Sequence, residues 1–182
     1  MGRVLLGMTM SLDGFVNDRK GEVSRLFPDL EALGKTEILQ EAIETTGAVL
    51  MGRHAYDMAR GDFTGYEFQV PIFVLTHHVP VKAAKGENAR LKFTFVADGI
   101  EIAVSEAKAA AGDKDVAVIG GADTARQLIK ARLLDEIEIG IVPVLFGEGL
   151  RLFEHLDGQI ELEGTKIMEA LGVTYLGFRV VK

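Results

Sequence analysis

The segment Val116-Ala117-Val118-Ile119-Gly120-Gly121-Ala122-Asp123-Thr124-Ala125-Arg126 sets a buried strand, a glycine turn and a helix start in immediate succession. Four small or β-branched apolar residues in a row, without polar alternation, suit a parallel strand covered on both faces. The two glycines remove both side chains where the backbone turns, which allows unusual φ/ψ values and lets a large ligand approach the main chain. Asp123 or Thr124 can cap the helix that runs on through Leu128 and Ile129, leaving free N–H groups beside the glycines. Such a place suits a phosphate. A Gly-Gly pair between strand and helix is also an ordinary tight connection, and taken alone the segment is better explained that way. The six-residue dinucleotide fingerprint is absent, because Arg126 holds its third glycine position.

Other strand ends raise the weight of the phosphate reading. Residues 3–10 form an apolar strand that opens into Ser11-Leu12-Asp13-Gly14, placing an acid just past its end. Residues 28–44 carry apolar positions at imperfect helical spacing, with Gly34 as a weak point and Gly47 as a stop. Residues 48–51 are a second buried strand, followed by Gly52-Arg53-His54-Ala55-Tyr56-Asp57, the start of a short helix. Cations there oppose the helix dipole and call for a compensating anion, which a bound phosphate supplies. A third buried strand, 71–76, ends in Thr76-His77-His78. Adjacent histidines point in different directions on regular backbone, so they are a poor metal pair, and no metal site is expected. The loop 60–70 shows no period.

Further on, 93–96 is a short strand and 100–111 an alanine-rich helix whose stripe Ile102, Ala103, Ala107 and Ala110 is expected to face inward. Glu136–Val142 alternates as a half-exposed strand does. Pro143-Val144-Leu145-Phe146-Gly147-Glu148-Gly149 is a loop with two glycines around one acid, and 160–168 with 173–181 form an antiparallel hairpin. Strands alternating with helices, closed by a hairpin, predict an α/β three-layer sandwich with a mainly parallel sheet of about eight strands.

Composition narrows the function. The 182 residues suffice for one domain, 1–182, with a substantial core. A net charge of −7 without any basic run argues against nucleic acid. The absence of cysteine removes disulfides, thiolate metal sites and thiol catalysis. No segment approaches membrane-spanning length and residues 1–7 are too short an apolar run for a signal peptide, so a cytoplasmic protein is expected.

The ordered series Met51-Gly52-Arg53-His54-Ala55-Tyr56, Leu75-Thr76-His77-His78-Val79-Pro80 and Ile119-Gly120-Gly121 resembles the dihydrofolate reductase superfamily. Ser11-Leu12-Asp13-Gly14, Leu134-Asp135-Glu136-Ile137-Glu138-Ile139 and the 143–149 loop resemble the reductase domain of the bifunctional riboflavin-synthesis deaminase-reductase, and its stand-alone relatives match in length. The resemblance implies a dihydrofolate-reductase-like fold. Gly52, Arg53 and His54, with Thr76, His77 and His78, then bracket the adenosine end of a cofactor. Gly120, Gly121 and the turn Ala122, Asp123, Thr124 hold its pyrophosphate, with a cis Gly120–Gly121 peptide. The chain lacks the tryptophan of true dihydrofolate reductases, and Asp29, Glu31, Glu37 and Glu41 offer no clear choice for their helix acid.

The expected function is hydride transfer from NADPH to a pyrimidine, pterin or flavin-precursor type of small molecule. NADPH is favoured over NADH because Arg53, His54, His77 and His78 suit an extra phosphate, whereas an acid usually reads the unphosphorylated ribose. Asp13 leads as proton donor and Glu148 is second; either needs a raised pKa to donate near neutral pH. Dihydrofolate reductase and an NADPH-binding module without turnover are the alternatives. The hairpin and Glu136–Val142 leave an edge for a second copy, and the resemblance implies a homodimer.

Overall fold

The computed structural model describes every residue except Met1, Pro28 and Ala83. Its strands are β1 (Val4–Ser11), β2 (Thr46–Gly52), β3 (Ile72–Leu75), β4 (Phe93–Val96), β5 (Asp115–Ile119), β6 (Glu136–Val142), β7 (Leu162–Ala170) and β8 (Val173–Val180). They form one eight-stranded sheet in the order β4-β3-β2-β5-β1-β6-β8-β7. The first six run parallel, and β8 pairs antiparallel with both β6 and β7. The α-helices are α1 (Leu30–Leu33), α2 (Glu37–Thr45), α3 (Arg53–Met58), α4 (Ile100–Ala111) and α5 (Ala122–Lys130).

Burial on both faces explains the unbroken apolar strands. Val4, Leu6, Ala48, Leu50, Val116 and Val118 pack into a core closed by α4 and α5. Their neighbours Val49, Met51, Ile72, Val74 and Ala117 face the opposite layer, under α2 and α3. The loop 60–70 belongs to this second core: Phe63 lies 5.5 Å from Tyr56 and 4.7 Å from Phe93, ring centre to ring centre. Aromatic burial, not a backbone period, fixes that loop.

Four expectations need correction. The helix expected over 28–44 is two helices, broken after Leu33, with Thr36 capping α2 through its hydroxyl; its expected start at Pro28 lies outside the described residues. Gly47 is no helix stop but part of β2, where a Cβ would lie 2.6 Å from the Ala111 carbonyl oxygen. In α4 the inward set is Ile100, Ala103, Val104, Ala107 and Ala111, whereas Ile102 and Ala110 are exposed. Finally, β6 has β1 on one side and β8 on the other, so it offers no edge; the edges are β4 and β7. Among the described residues no helix is long and apolar enough to cross a membrane.

Candidate functional site

Strand order places the ends of β3, β2 and β5 side by side, and the chain reverses direction there: β2, β3 and β4 run outward, then β5 returns between β2 and β1. In open α/β sheets ligands bind beyond the strand ends at such a reversal. A cavity of about 410 Å³ occupies that position. Gly52, Arg53 and His54 line it from the β2–α3 junction, and Thr76, His77 and His78 from the end of β3. Gly121, Ala122, Asp123 and Thr124 line it from the start of α5. Three segments far apart in sequence thus meet in one place, and of the eleven residues expected around a cofactor only Gly120 is not on the wall.

Gly120 acts one step behind the wall. Its carbonyl oxygen accepts from the Gly52 N–H at 3.0 Å, tying the β2 end to the glycine turn, and the Gly120–Gly121 peptide is cis, as the resemblance implies. A Cβ on Gly52 would stand 2.4 Å from the Thr124 hydroxyl oxygen, so only glycine lets these two junctions close on each other. The helix cap differs from expectation. Gly121, not Asp123 or Thr124, is the N-cap of α5, and with no side chain it makes no capping hydrogen bond. Among the described residues no side chain caps the first N–H groups of α5 at the cavity. Asp123 instead accepts from the Gln127 amide at 2.7 Å and pairs with Arg126.

The anion that compensates Arg53 also lies within the chain. Asp57, one helical turn on, accepts from Arg53 Nε at 2.8 Å, while Nη1 donates to the His78 carbonyl oxygen at 2.6 Å. Thr76 is buried, and its hydroxyl donates to that same carbonyl at 2.9 Å while accepting from the His78 N–H. Arg53 and Thr76 thus fold the two-histidine turn, and the rings of His54, His77 and His78 stand on exposed residues at the cavity mouth. Among the described residues no three His, Asp or Glu side chains gather as a metal group.

Neither expected proton donor lines the cavity. Asp13 accepts from the Ser11 hydroxyl at 2.6 Å, from the Gly147 N–H at 2.8 Å and from the Phe146 N–H at 3.1 Å. These bonds, the Ser11 hydroxyl foremost, hold its carboxyl down at about 2, opposite to what a proton donor needs. Asp13 fastens the turn after β1 to the loop after β6, and Arg151 adds a second fastener by donating to the Asp13 carbonyl and lying 4.5 Å from the Phe15 ring centre. Glu148 is exposed at the tip of the same loop. A carboxyl held below its ordinary 3.8 stabilises the fold above that pH and loses the contribution as the pH falls towards about 2. Acid unfolding of Asp13→Asn and wild type is accordingly expected to show a stability gap at neutral pH that closes across this window. A gap that persists below it would contradict the assignment.

Some lining residues carry no motif. Ala97 and Gly99 come from the turn before α4, with Gly99 at φ 100°; this is a further strand-to-helix junction, legible by the same logic as the others. Leu150 arrives from the loop after β6 and is brought in by tertiary structure alone.

Beside this cavity the sheet has a step. β5 stops at Ile119, level with Gly7 of β1, whereas β1 continues against β6 as far as Ser11 opposite Val142. The glycine turn therefore faces a stretch of β1 that has lost its neighbour on that side.

Comparison with known proteins gives these features a family. The model for the RibD C-terminal domain matches residues 3–174. Over 166 residues the chain is 28% identical to the uncharacterized protein YyaP of Bacillus subtilis (strain 168), covering 88% of this chain and 85% of that protein. Among solved structures it is similar to the diaminohydroxyphosphoribosylaminopyrimidine deaminase/5-amino-6-(5-phosphoribosylamino)uracil reductase of Thermotoga maritima, with TM-score 0.75 and 15% identity over 99% of this chain and 57% of that one. It is likewise similar to the dihydrofolate reductase of Enterococcus faecalis complexed with NADP(H), with TM-score 0.65 and 17% identity over 100% and 98% of the two chains. On the match over nearly its whole length, this chain belongs to the RibD C-terminal domain family.

Proposed function

We propose that this chain is an NADPH-dependent reductase that transfers hydride to a pyrimidine, pterin or flavin-precursor type of substrate, in a reaction like that of 5-amino-6-(5-phosphoribosylamino)uracil reduction in riboflavin synthesis. The observation that carries the reading is the single cavity built from the β2, β3 and β5 ends. Its residues fit the cofactor: a bare glycine turn, uncapped helix N–H groups and a guanidinium stand around one space. Arg53 with the histidines receives the extra phosphate and the start of α5 the pyrophosphate. In this reading the remaining end of the molecule lies over β1, the next strand beyond β5. NADPH supplies the hydride; the protein contributes position and a proton route.

In this reading Asp13 positions the loop, and of the two expected acids Glu148 keeps the proton-donor assignment. The low pKa of Asp13 also favours a second reading, a nucleotide-binding module without turnover. Oxidation of NADPH, followed by absorbance with 5-amino-6-(5-phosphoribosylamino)uracil and with dihydrofolate, separates the possibilities. Turnover of the uracil alone is the expected result. Turnover of dihydrofolate alone makes the chain a dihydrofolate reductase, and binding without turnover makes it the module. The proposed homodimer would use β7, the edge strand, where Ile167 is 77% exposed.

A further inference from the structure

A second cavity, of about 250 Å³, lies on the other face of the sheet, between α2 and the β6–β8–β7 end. Leu5 and Ala117 form its floor, Ile38 and Ala42 of α2 one wall, and Glu138 and Lys166 line the far side. Strand register relates it to the cofactor site. Glu138 of β6 pairs with Gly7 of β1, and Gly7 pairs with Ile119, the residue before Gly120. At Gly7 the sheet is bare: a Cβ there would meet only the Leu5 side chain, at 3.9 Å. Two strand spacings of about 4.8 Å put Glu138 about 10 Å from the end of β5, with a glycine between them. The Glu138 carboxyl and the end of β5 therefore flank the bare Gly7 position of β1 from either side.

Among the described residues Glu138 has one cationic neighbour, Lys166, and shares it with Glu41. Burial pushes its carboxyl up, and Lys166 counters this only in part. The Lys166 Nζ stands 3.7 Å from Glu138, beyond hydrogen-bond distance, and is held by Glu41 of α2 at 3.1 Å. Arg3 is taken up by Asp115 and Glu136. Glu41 and Glu136 add negative charge, and from β8 the Tyr175 phenol, itself raised by burial, brings no cation. A carboxylate in that setting, above an apolar floor, is completed by two parallel N–H donors on the edge of a neutral ring.

Resting on the reductase reading, we propose that Glu138 is the residue that recognises the substrate ring, accepting a ring N–H and an adjacent exocyclic N–H of an amino-substituted pyrimidine laid over Gly7. The probe is 6-aminouracil, which carries that donor pair, titrated calorimetrically without cofactor into wild type and Glu138→Gln. Wild type is expected to bind and the variant at least tenfold more weakly. Because the acceptor is the ionised form, wild-type affinity falls as the pH drops through a carboxyl range above that of an ordinary glutamate, whereas the variant stays flat. A merely structural Glu138 would not produce that pH profile. Equal affinities, a flat wild-type profile, or no binding to wild type overturns the proposal. NADPH titrated into the same two proteins is expected to bind both; its failure to bind wild type would sink the reductase reading and leave the aminouracil result to decide Glu138 by itself.

Discussion

Gly121→Leu is expected to weaken NADPH binding by about 100-fold or more while the chain still folds. The two halves of that expectation rest on separate observations. Gly121 has φ −103°, an ordinary extended value, and beyond its own residue and its two chain neighbours no heavy atom lies within 4 Å of the Cβ position there, so a side chain can leave the backbone without meeting the fold. The room is the cavity itself, at the helix start proposed to meet the pyrophosphate. The added side chain competes for space with the ligand and not with the fold. Circular dichroism and the denaturant midpoint report folding, and quenching of NADPH fluorescence reports binding. Wild-type affinity in a folded variant would mean that the ligand does not pass over the glycine turn.

Arg53→Ala separates the extra phosphate from the rest of the cofactor. The guanidinium is pre-set by Asp57 and by the His78 carbonyl, which fixes its direction before any ligand arrives. A charge-assisted contact of this kind contributes about 1.5–3 kcal/mol, so NADPH affinity is expected to drop by about 10- to 100-fold. NADH, which lacks the extra phosphate, should change little, and the preference between the two cofactors should collapse. An equal loss for both would assign Arg53 to holding the two-histidine turn and not to reading the phosphate.

Much of this was legible in the residues, and the reasons differ between fold and site. Parallel strands buried on both faces need continuous apolar runs, so β2, β3 and β5 stand out in the sequence and their ends locate the junctions. The cavity gathers these junctions because strand order, which periodicity does not encode, places three of them together. The inward face of α4 is not marked by its alanines, because small residues pack on either side of a helix; Ile100 and Val104, one turn apart, mark the face that is buried. The internal anion for Arg53 was within reach, since Asp57 lies at the i,i+4 spacing that brings helix side chains together.

Acidic residues were the least legible. Asp13 and Glu148 stand next to glycines, in the turn after β1 and the loop after β6, which suggests chemistry, yet the Asp13 carboxylate is taken up by the Ser11 hydroxyl and two N–H groups of the loop after β6. Glu138 sits inside a regularly alternating strand, in a segment that carries the family resemblance but marks no single residue for chemistry. Only the register with Gly7, and the hairpin and α2 folding over it, give that carboxyl its surroundings.

The central claim is that the β2, β3 and β5 junctions form an NADPH site. Its most direct test is the melting temperature of the purified protein with NADPH, with NADH and with neither, because a ligand that binds only the folded state raises apparent stability. The account predicts a clear rise with NADPH and a smaller one with NADH at equal concentration. No rise with either would contradict it and leave the three junctions as ordinary turns of the fold.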